Sequence, residues 1–380
     1  MRDAVIVEAV RTAVGKRNGA LARVHPVDLS AHVLDALASR SGIEPSVVDD
    51  VVWGCVSQIG EQTFDIARNA VLAAGWPESV PGCTVDRQCG SSQQSIHSVA
   101  AGLIADQYDV AVAGGVESMS RIPMGSSANG MDPLGPRFAH RYHGVVPNQG
   151  IGAELIADRW GFSRTTLDEF ALRSHERAAA AQDAGLFDAE IAPIDVDGAV
   201  FAQDQGIRRG GSVTKLAELK PAFQPDGVIT AGNASQISDG AAALLMTTTE
   251  KAKELGLQPL ARVHTAVLAG SDPIMMLTGP IAATEKALRR SGLGIDDIGA
   301  FEVNEAFASV PMAWLAETGA CEELVNVNGG AIALGHPMGG SGARIATTLL
   351  HHMRQSGIRY GLQTMCEGGG QANATIFELL

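Results

Sequence analysis

The sequence predicts a layered α/β protein made of two related domains and a long insert, and three observations carry that reading. Residues 1–117 alternate strand-like and helix-like segments, the order expected of strands covered by helices. A helix, a glycine stop, an acidic pair and an apolar run follow one another near the start and again near the C-terminus. Between the two copies, residues 118 to about 235 break the pattern.

In chain order, residues 4–10 read as a strand, 26–41 as a helix, 51–54 as a strand and 64–74 as a helix. Residues 82–85 read as a buried strand that runs into Cys89. Residues 91–104 then carry apolar side chains at Ile96, Val99, Leu103 and Ile104, a helical stripe, and 110–115 form the next strand. Cys89 therefore falls at a strand-to-helix turn, where the helix amides and dipole favour a thiolate. The competing reading is a buried structural cysteine.

The repeat links Cys89 to a partner. Residues 34–42 with Asp49-Asp50 and the run from Val51 match residues 285–292 with Asp296-Asp297 and the run from Ile298. Cys89 lies 47 residues after Gly42, and His336 lies 44 residues after Gly292. His336 also sits in a glycine-rich turn, between a strand expected at 325–327 and an apolar helix. A duplicated domain places the two residues at related positions, where they can meet.

In the insert, 118–149 is rich in Gly, Pro, Ser and Asn and reads as a loop, and 165–184 as a helix capped by Ser163 or Thr165. A loop of this length points to ligand binding. Residues 238–255 read as the last strand and helix of the first domain. This gives an N-terminal domain of 1–117 plus 236–260, a loop domain of 118–235 and a C-terminal domain of 261–380. Asn304, at a strand-to-helix junction, can serve an oxyanion or cap the helix. Cys366 precedes three glycines, Gly368 to Gly370, whose amides can approach a ligand closely.

Composition bounds the rest. The 380 residues carry a formal charge of -14, which argues against a broad nucleic-acid or anionic-lipid surface, so an anionic ligand needs a local basic pocket. Five cysteines show no C-x-x-C pair and no metal-ligand spacing, so no metal is expected and a reducing compartment is. The first strand begins at once and no apolar run reaches 18 residues. We therefore expect no secretory signal, no spanning helix and a cytoplasmic location.

Four blocks together resemble the thiolase family: Asp86-Arg87-Gln88-Cys89-Gly90-Ser91, Asn304-Glu305-Ala306-Phe307-Ala308, residues 329–337 ending in Gly335-His336-Pro337, and Cys366-Glu367-Gly368-Gly369-Gly370. The resemblance spans the chain and implies the thiolase fold, a duplicated five-layered α-β-α-β-α core of two mixed sheets with an inserted loop domain. It also implies a homodimer at least, commonly a homotetramer, with coenzyme A as a substrate rather than a tightly bound cofactor. By resemblance Cys89 is the acylated nucleophile, His336 its base, and Cys366 the second acid or base. Asn304 then positions a water for one oxyanion hole, and the amides of Cys89 and Gly368 form the other. Arg208, Phe223, Ser235 and, less directly, His175 look like the coenzyme A contacts.

Departures bear on the substrate. Members acting on acetoacetyl-CoA carry His-x-Met-Gly before an Ala-Glu pair, whereas this chain reads Pro147-Asn148-Gln149-Gly150 before Ala153-Glu154. A longer or bulkier acyl group is expected, as in degradative 3-ketoacyl-CoA thiolases, including actinobacterial ones for steroid-derived acids. Glu367 replaces a usual apolar residue, and Ala372 a frequent glycine. Rival readings are a biosynthetic acetoacetyl-CoA thiolase, a ketoacyl synthase, disfavoured because Cys366 stands where that enzyme has a histidine, and a silent acyl-CoA-binding protein.

Overall fold

The computed structural model describes residues 2–380. Its first half runs β1 (Val5–Arg11), β2 (Gly15–Lys16), α1 (Pro26–Ser41), β3 (Asp50–Gly54), α2 (Ile66–Ala73), β4 (Gly82–Val85), α3 (Ser91–Ile104) and β5 (Val110–Ser118). The insert holds α4 (Gly135–Arg141), α5 (Gln149–Trp160), α6 (Arg164–Asp183), a small hairpin of β6 (Ile194–Val196) and β7 (Ala199–Phe201), and α7 (Val213–Ala217). The chain returns through β8 (Ser238–Thr247) and α8 (Thr249–Glu254). The second half is β9 (Ala261–Gly270), α9 (Gly279–Ser291), β10 (Ala300–Val303), α10 (Ser309–Thr318), α11 (Ala331–Leu334), α12 (Met338–Ser356), β11 (Tyr360–Glu367) and β12 (Gln371–Leu379).

The repeat is visible in detail. Proline stands in the first turn of both α1 and α9, and both helices end on a left-handed glycine, Gly42 at φ 71° and Gly292 at φ 76°, a conformation glycine adopts without a Cβ penalty. The strands run β4-β3-β5-β8-β1 in one half and β10-β11-β12-β9 in the other. The two expected sheets are not separate: β1 and β9 pair through Val5–Arg262 and Ile6–Ala261, joining them into one ten-stranded ladder.

Five layers follow from the packing. Helices α1 and α2 cover one outer face and α9 the other, while α12 packs on β5 and β8 of the first half and on β10 and β11 of the second. It is buried continuously from Met338 to His351, its first turns being small residues and its buried stretch including the polar Arg344, Thr347, Thr348 and His351. Ile96, Val99 and Leu103 of α3 meet Ala346, Leu350 and Met353 of α12 in one core that reaches strands of both halves.

Three local expectations are corrected. β4 is an edge strand, so it is half-buried and Cys83 is exposed. The strand expected at 325–327 shrinks to a single bridge between Phe301 and Val325. There Asn326 turns left-handed, φ 47°, and its amide side chain accepts from Val303 N–H and donates to Val303 C=O, both at 2.9 Å, taking the place of a ladder strand. The loop at 118–149 contains the short α4.

In the insert Ser163 caps α6 by accepting from Thr166 N–H. Asp168 lies past the first turn; it is buried, pairs with Arg164 at 2.7 Å and accepts from Asn233 at 2.9 Å, which anchors the 230–235 loop.

Candidate active site

Cys89 is set by a tight turn. Gln88 adopts φ 49°, a conformation that strains a non-glycine residue by about 1–3 kcal/mol. Asp86 offsets this by accepting from Gln88 N–H at 2.7 Å, and Ser91 Oγ accepts from Arg87 N–H at 2.9 Å while donating to Gln88 C=O at 2.6 Å. The chain then enters α3.

His336 comes to the same place because α12 approaches α3 backbone to backbone. A Cβ on Gly342 would stand 2.2 Å from Gln93 N, closer than real atoms come. Ser92 Oγ accepts from Ala343 N–H at 2.9 Å and ties the two helices. The turn before α12 is fixed by Glu117, which accepts from Gly339, Val56 and Ser57 N–H at 2.9, 3.0 and 3.1 Å, and by Ser238 Oγ, which accepts from His336 N–H at 3.1 Å.

Cys89 and His336 open onto one cavity of about 150 Å³, with Phe223 and Ser235 on its wall together with Met119, Met124 and Gln149. Phe223 lies against Gly150, where a Cβ would meet its ring at 2.0 Å, and sits edge-on to Phe307 at 5.7 Å. Ser235, Gln236 and Ile237 also line a neighbouring cleft of about 560 Å³ bounded by Lys16, Arg17 and Arg208. None of these three cations is ion-paired among the described residues, whereas the neighbouring Arg209 is held by Asp183. This is the basic pocket an acidic chain needs for an anion. His175 lies in an adjoining groove with Arg208 and accepts from its backbone N–H at 3.1 Å.

Asn304 and Cys366 do not line the cavity; both are buried, Cys366 in one apolar cluster with Phe307 of the cavity wall. Asn304 N–H donates to Thr364 C=O at 3.1 Å, two residues before Cys366. It does not cap a helix: α10 starts at Ser309, and both polar atoms of the Asn304 side chain lack a partner. Gly368 forms the β11–β12 turn with Gly369 and Gly370 and abuts Gln88. Ala372 packs on Gly279.

The electrostatics correct one expectation. The thiolate is not the resting form of Cys89: burial, then the Glu367 carboxylate, push its pKa up to about 12, and burial pushes Cys366 upward too. Burial, then the Arg344 charge, lower His336 to about 3, so its imidazole is neutral. Its Nε2 is buried without a partner. The resting pair is a thiol and a neutral imidazole, able to pass a proton as a new bond forms.

Sequence reasoning missed Ser341, Ser238, Glu117, Lys16, Arg17, Met119 and Met124. Two signals were available: a glutamate ending the apolar strand at Glu117, and the adjacent cations Lys16-Arg17 in an acidic chain.

Fold and site define a duplicated α/β protein with a cysteine and a histidine brought together at the N-termini of two central helices. The chain belongs to the thiolase family: profiles of the thiolase N-terminal and C-terminal domains match residues 4–250 and 257–379. Steroid 3-ketoacyl-CoA thiolase FadA6 of Mycobacterium tuberculosis is 50% identical over 388 residues, spanning 100% of this chain and 95% of the relative. The 3-ketoacyl-CoA thiolase of Klebsiella pneumoniae is 46% identical over 389 residues, spanning 100% of both. The crystal structure of the Bacillus anthracis acetyl-CoA acetyltransferase superposes with a TM-score of 0.92 at 39% identity, covering 100% of this chain and 99% of that one. Among the described residues no helix is long and apolar enough to cross a membrane, and no cluster of His, Cys, Asp and Glu could hold a metal ion.

Proposed function

We propose that the chain is a degradative 3-ketoacyl-CoA thiolase working through an acyl-Cys89 thioester. The observation that carries this reading is the unpartnered Nε2 of buried His336 in the cavity that Cys89 lines. A buried polar atom without a partner is costly, and a proton acceptor beside a thiol gives it a use. His336 Nε2 takes the Cys89 proton as sulfur attacks the 3-keto carbon. The bond between C2 and C3 breaks, the acetyl-CoA enolate takes a proton from Cys366, and the shortened acyl group stays on Cys89. A CoA thiol, its proton removed by Cys366, then attacks the thioester and regenerates the Cys89 thiol.

The developing oxyanions need donors. In this reading Asn304 orients a water that acts with His336 at one, and the Cys89 and Gly368 amides serve the other. Arg208, with Lys16 and Arg17, attracts the phosphates of CoA, Phe223 offers an aromatic face, Ser235 lies along the pantetheine and His175 borders the same cleft. CoA enters and leaves as substrate.

Gln149, where acetoacetyl-specific members have their His-x-Met-Gly segment, and the flexible walls Met119 and Met124 favour an acyl group larger than acetoacetyl. The 50% identity to a mycobacterial steroid 3-ketoacyl-CoA thiolase extends this to steroid-derived acids. The exposed Phe64 and Met131, 88% and 75% accessible, fit burial against further copies in a dimer or tetramer. A cytoplasmic location completes the reading.

The test is CoA-dependent thiolysis of acetoacetyl-CoA, a medium-chain 3-ketoacyl-CoA and a bulky cyclic 3-ketoacyl-CoA at equal concentration. Preference for the larger substrates is expected; preference for acetoacetyl-CoA would replace it with the biosynthetic reading. The Cys89→Ala variant is expected to lose turnover and the acyl adduct, and turnover without Cys89 would overturn the mechanism.

A further inference from the structure

The face of the β11–β12 hairpin opposite Cys366 carries Glu367, Gln371 and Asn373, because Glu367 pairs with Gln371 and Met365 with Asn373 and side chains alternate along strands. This face presses on the nucleophile turn. Asn373 Nδ2 donates to Gly90 C=O at 3.1 Å, Arg87 Nη1 donates to Gln371 Oε1 at 3.1 Å, and a Cβ on Gly90 would lie 2.0 Å from Glu367 Oε1. The turn that carries Cys89 therefore rests on a glutamate.

Glu367 is wholly buried, and both its oxygens lack a partner. Asn373 Oδ1, on the same face, lacks one as well. Glu367 thus keeps two acceptor oxygens away from water with a hydrogen bond to neither. The nearest cation, Arg87, is directed elsewhere: its Nε donates to Gln94 at 2.7 Å and its Nη1 to Gln371 at 3.1 Å, and it makes no hydrogen bond to Glu367. A proton on Glu367 removes the unpaired buried charge and turns one of its oxygens into an O–H donor.

We propose that Glu367 is a proton-linked positioning residue for Cys89: as the neutral acid it supports the nucleophile turn, and its ionisation opposes formation of the Cys89 thiolate. This rests on the reading of Cys89 as the nucleophile. The charged and titratable groups around it are Arg87, Asp86 and Cys89 on the turn and Cys366 on its own strand; Gln371 and Asn373 are uncharged. Burial raises Glu367 to about 8, with Arg87 pulling it down and Asp86 up. Ionisation thus falls just above neutrality, and a carboxylate there works against a second negative charge at Cys89.

The test is alkylation of Cys89 by iodoacetamide, which needs no turnover, followed by mass analysis of the Cys89 peptide in the full chain. Glu367→Gln and Glu367→Met, both uncharged, are compared with the unaltered protein from about pH 6.5 to 9.5. The ratio of variant to unaltered rates is expected to rise by about threefold or more across that range; a constant ratio would overturn the proposal, since a packing role moves all rates alike. Should both variants fail to fold, the unaltered protein decides. Its log rate is expected to follow two parallel lines of unit slope joined by a downward step, and one unbroken line would overturn the proposal. A protein that shows the rising ratio but cleaves no 3-ketoacyl-CoA would sink the thiolase reading and leave this one standing.

Discussion

His336 Nδ1 lies 2.6 Å from Ser341 Oγ, and Ser341 donates its single hydroxyl proton to Pro337 C=O at 2.9 Å. With that proton committed, Ser341 Oγ must accept, so Nδ1 carries the imidazole hydrogen and Nε2 is left as the bare base. The helix therefore sets the tautomer of the residue at its own N-terminus. Ser341→Ala frees the ring to take the wrong tautomer, and kcat is expected to fall by about 10- to 100-fold with KM for CoA little changed. Steady-state kinetics with CoA varied checks this; an unchanged kcat would mean that something else orients the ring.

Gly342→Ala sets two effects against each other. Alanine favours a helix interior by about 1 kcal/mol over glycine. The added Cβ, however, meets the Gln93 backbone at 2.2 Å, and a backbone atom cannot rotate away. Overpacking costs about 1–3 kcal/mol, so net destabilisation of up to about 2 kcal/mol is expected. Because the same contact brings Cys89 to His336, activity should drop more than tenfold in protein that remains folded. Urea unfolding and thiolysis of one preparation measure both.

Buried histidines make stability fall on the acid side. Burial, then the Arg87 charge, hold His97 down at about 3, and burial holds His175 at about 4. An unfolded histidine titrates at about 6.5. Below that value the unfolded chain takes up protons that the native state refuses, so stability is lost as pH falls from about 6.5 toward 3. Glu302 and Glu367, raised to about 8 by burial, act in the opposite sense, lowering stability as pH rises from about 4.5 to 8. His97→Gln can still donate to Thr375 Oγ, which His97 meets at 2.7 Å. It is expected to reduce the slope of unfolding free energy between about pH 5 and 6 by up to about 1.4 kcal/mol per unit. Equal slopes would show that native His97 is already charged.

The elements were legible where a local signal set them. The apolar stripe of α3, the glycine stops after α1 and α9, and the repeat that pairs Cys89 with His336 all lie within short windows of sequence. What escaped depends on contacts across the chain: Glu117 reaches Gly339 over 222 positions, and Asn326 replaces a strand by pairing with Val303. The resting thiol at Cys89 escaped for a similar reason. A helix N-terminus is readable locally, but Glu367, which opposes the thiolate, arrives from the far end of the chain.

Asn304 separates function from stability most cleanly. Its amide is 2% accessible, and neither its nitrogen nor its oxygen has a partner in the protein, which is a cost to the fold of about 1–3 kcal/mol for each unsatisfied group. A residue retained for packing would not keep both ends unpaired, whereas one that holds a water and a developing oxyanion would. Asn304→Ala removes the unsatisfied groups and leaves a small cavity, two effects of opposite sign, so its unfolding midpoint is expected to stay close to that of the unaltered protein. Losing an oxyanion donor costs about 10²- to 10³-fold in kcat. Thermal unfolding together with single-turnover acylation of Cys89 tests the pair: a variant that melts normally and acylates slowly places Asn304 in the reaction, and one that melts early but acylates at the full rate returns it to the core.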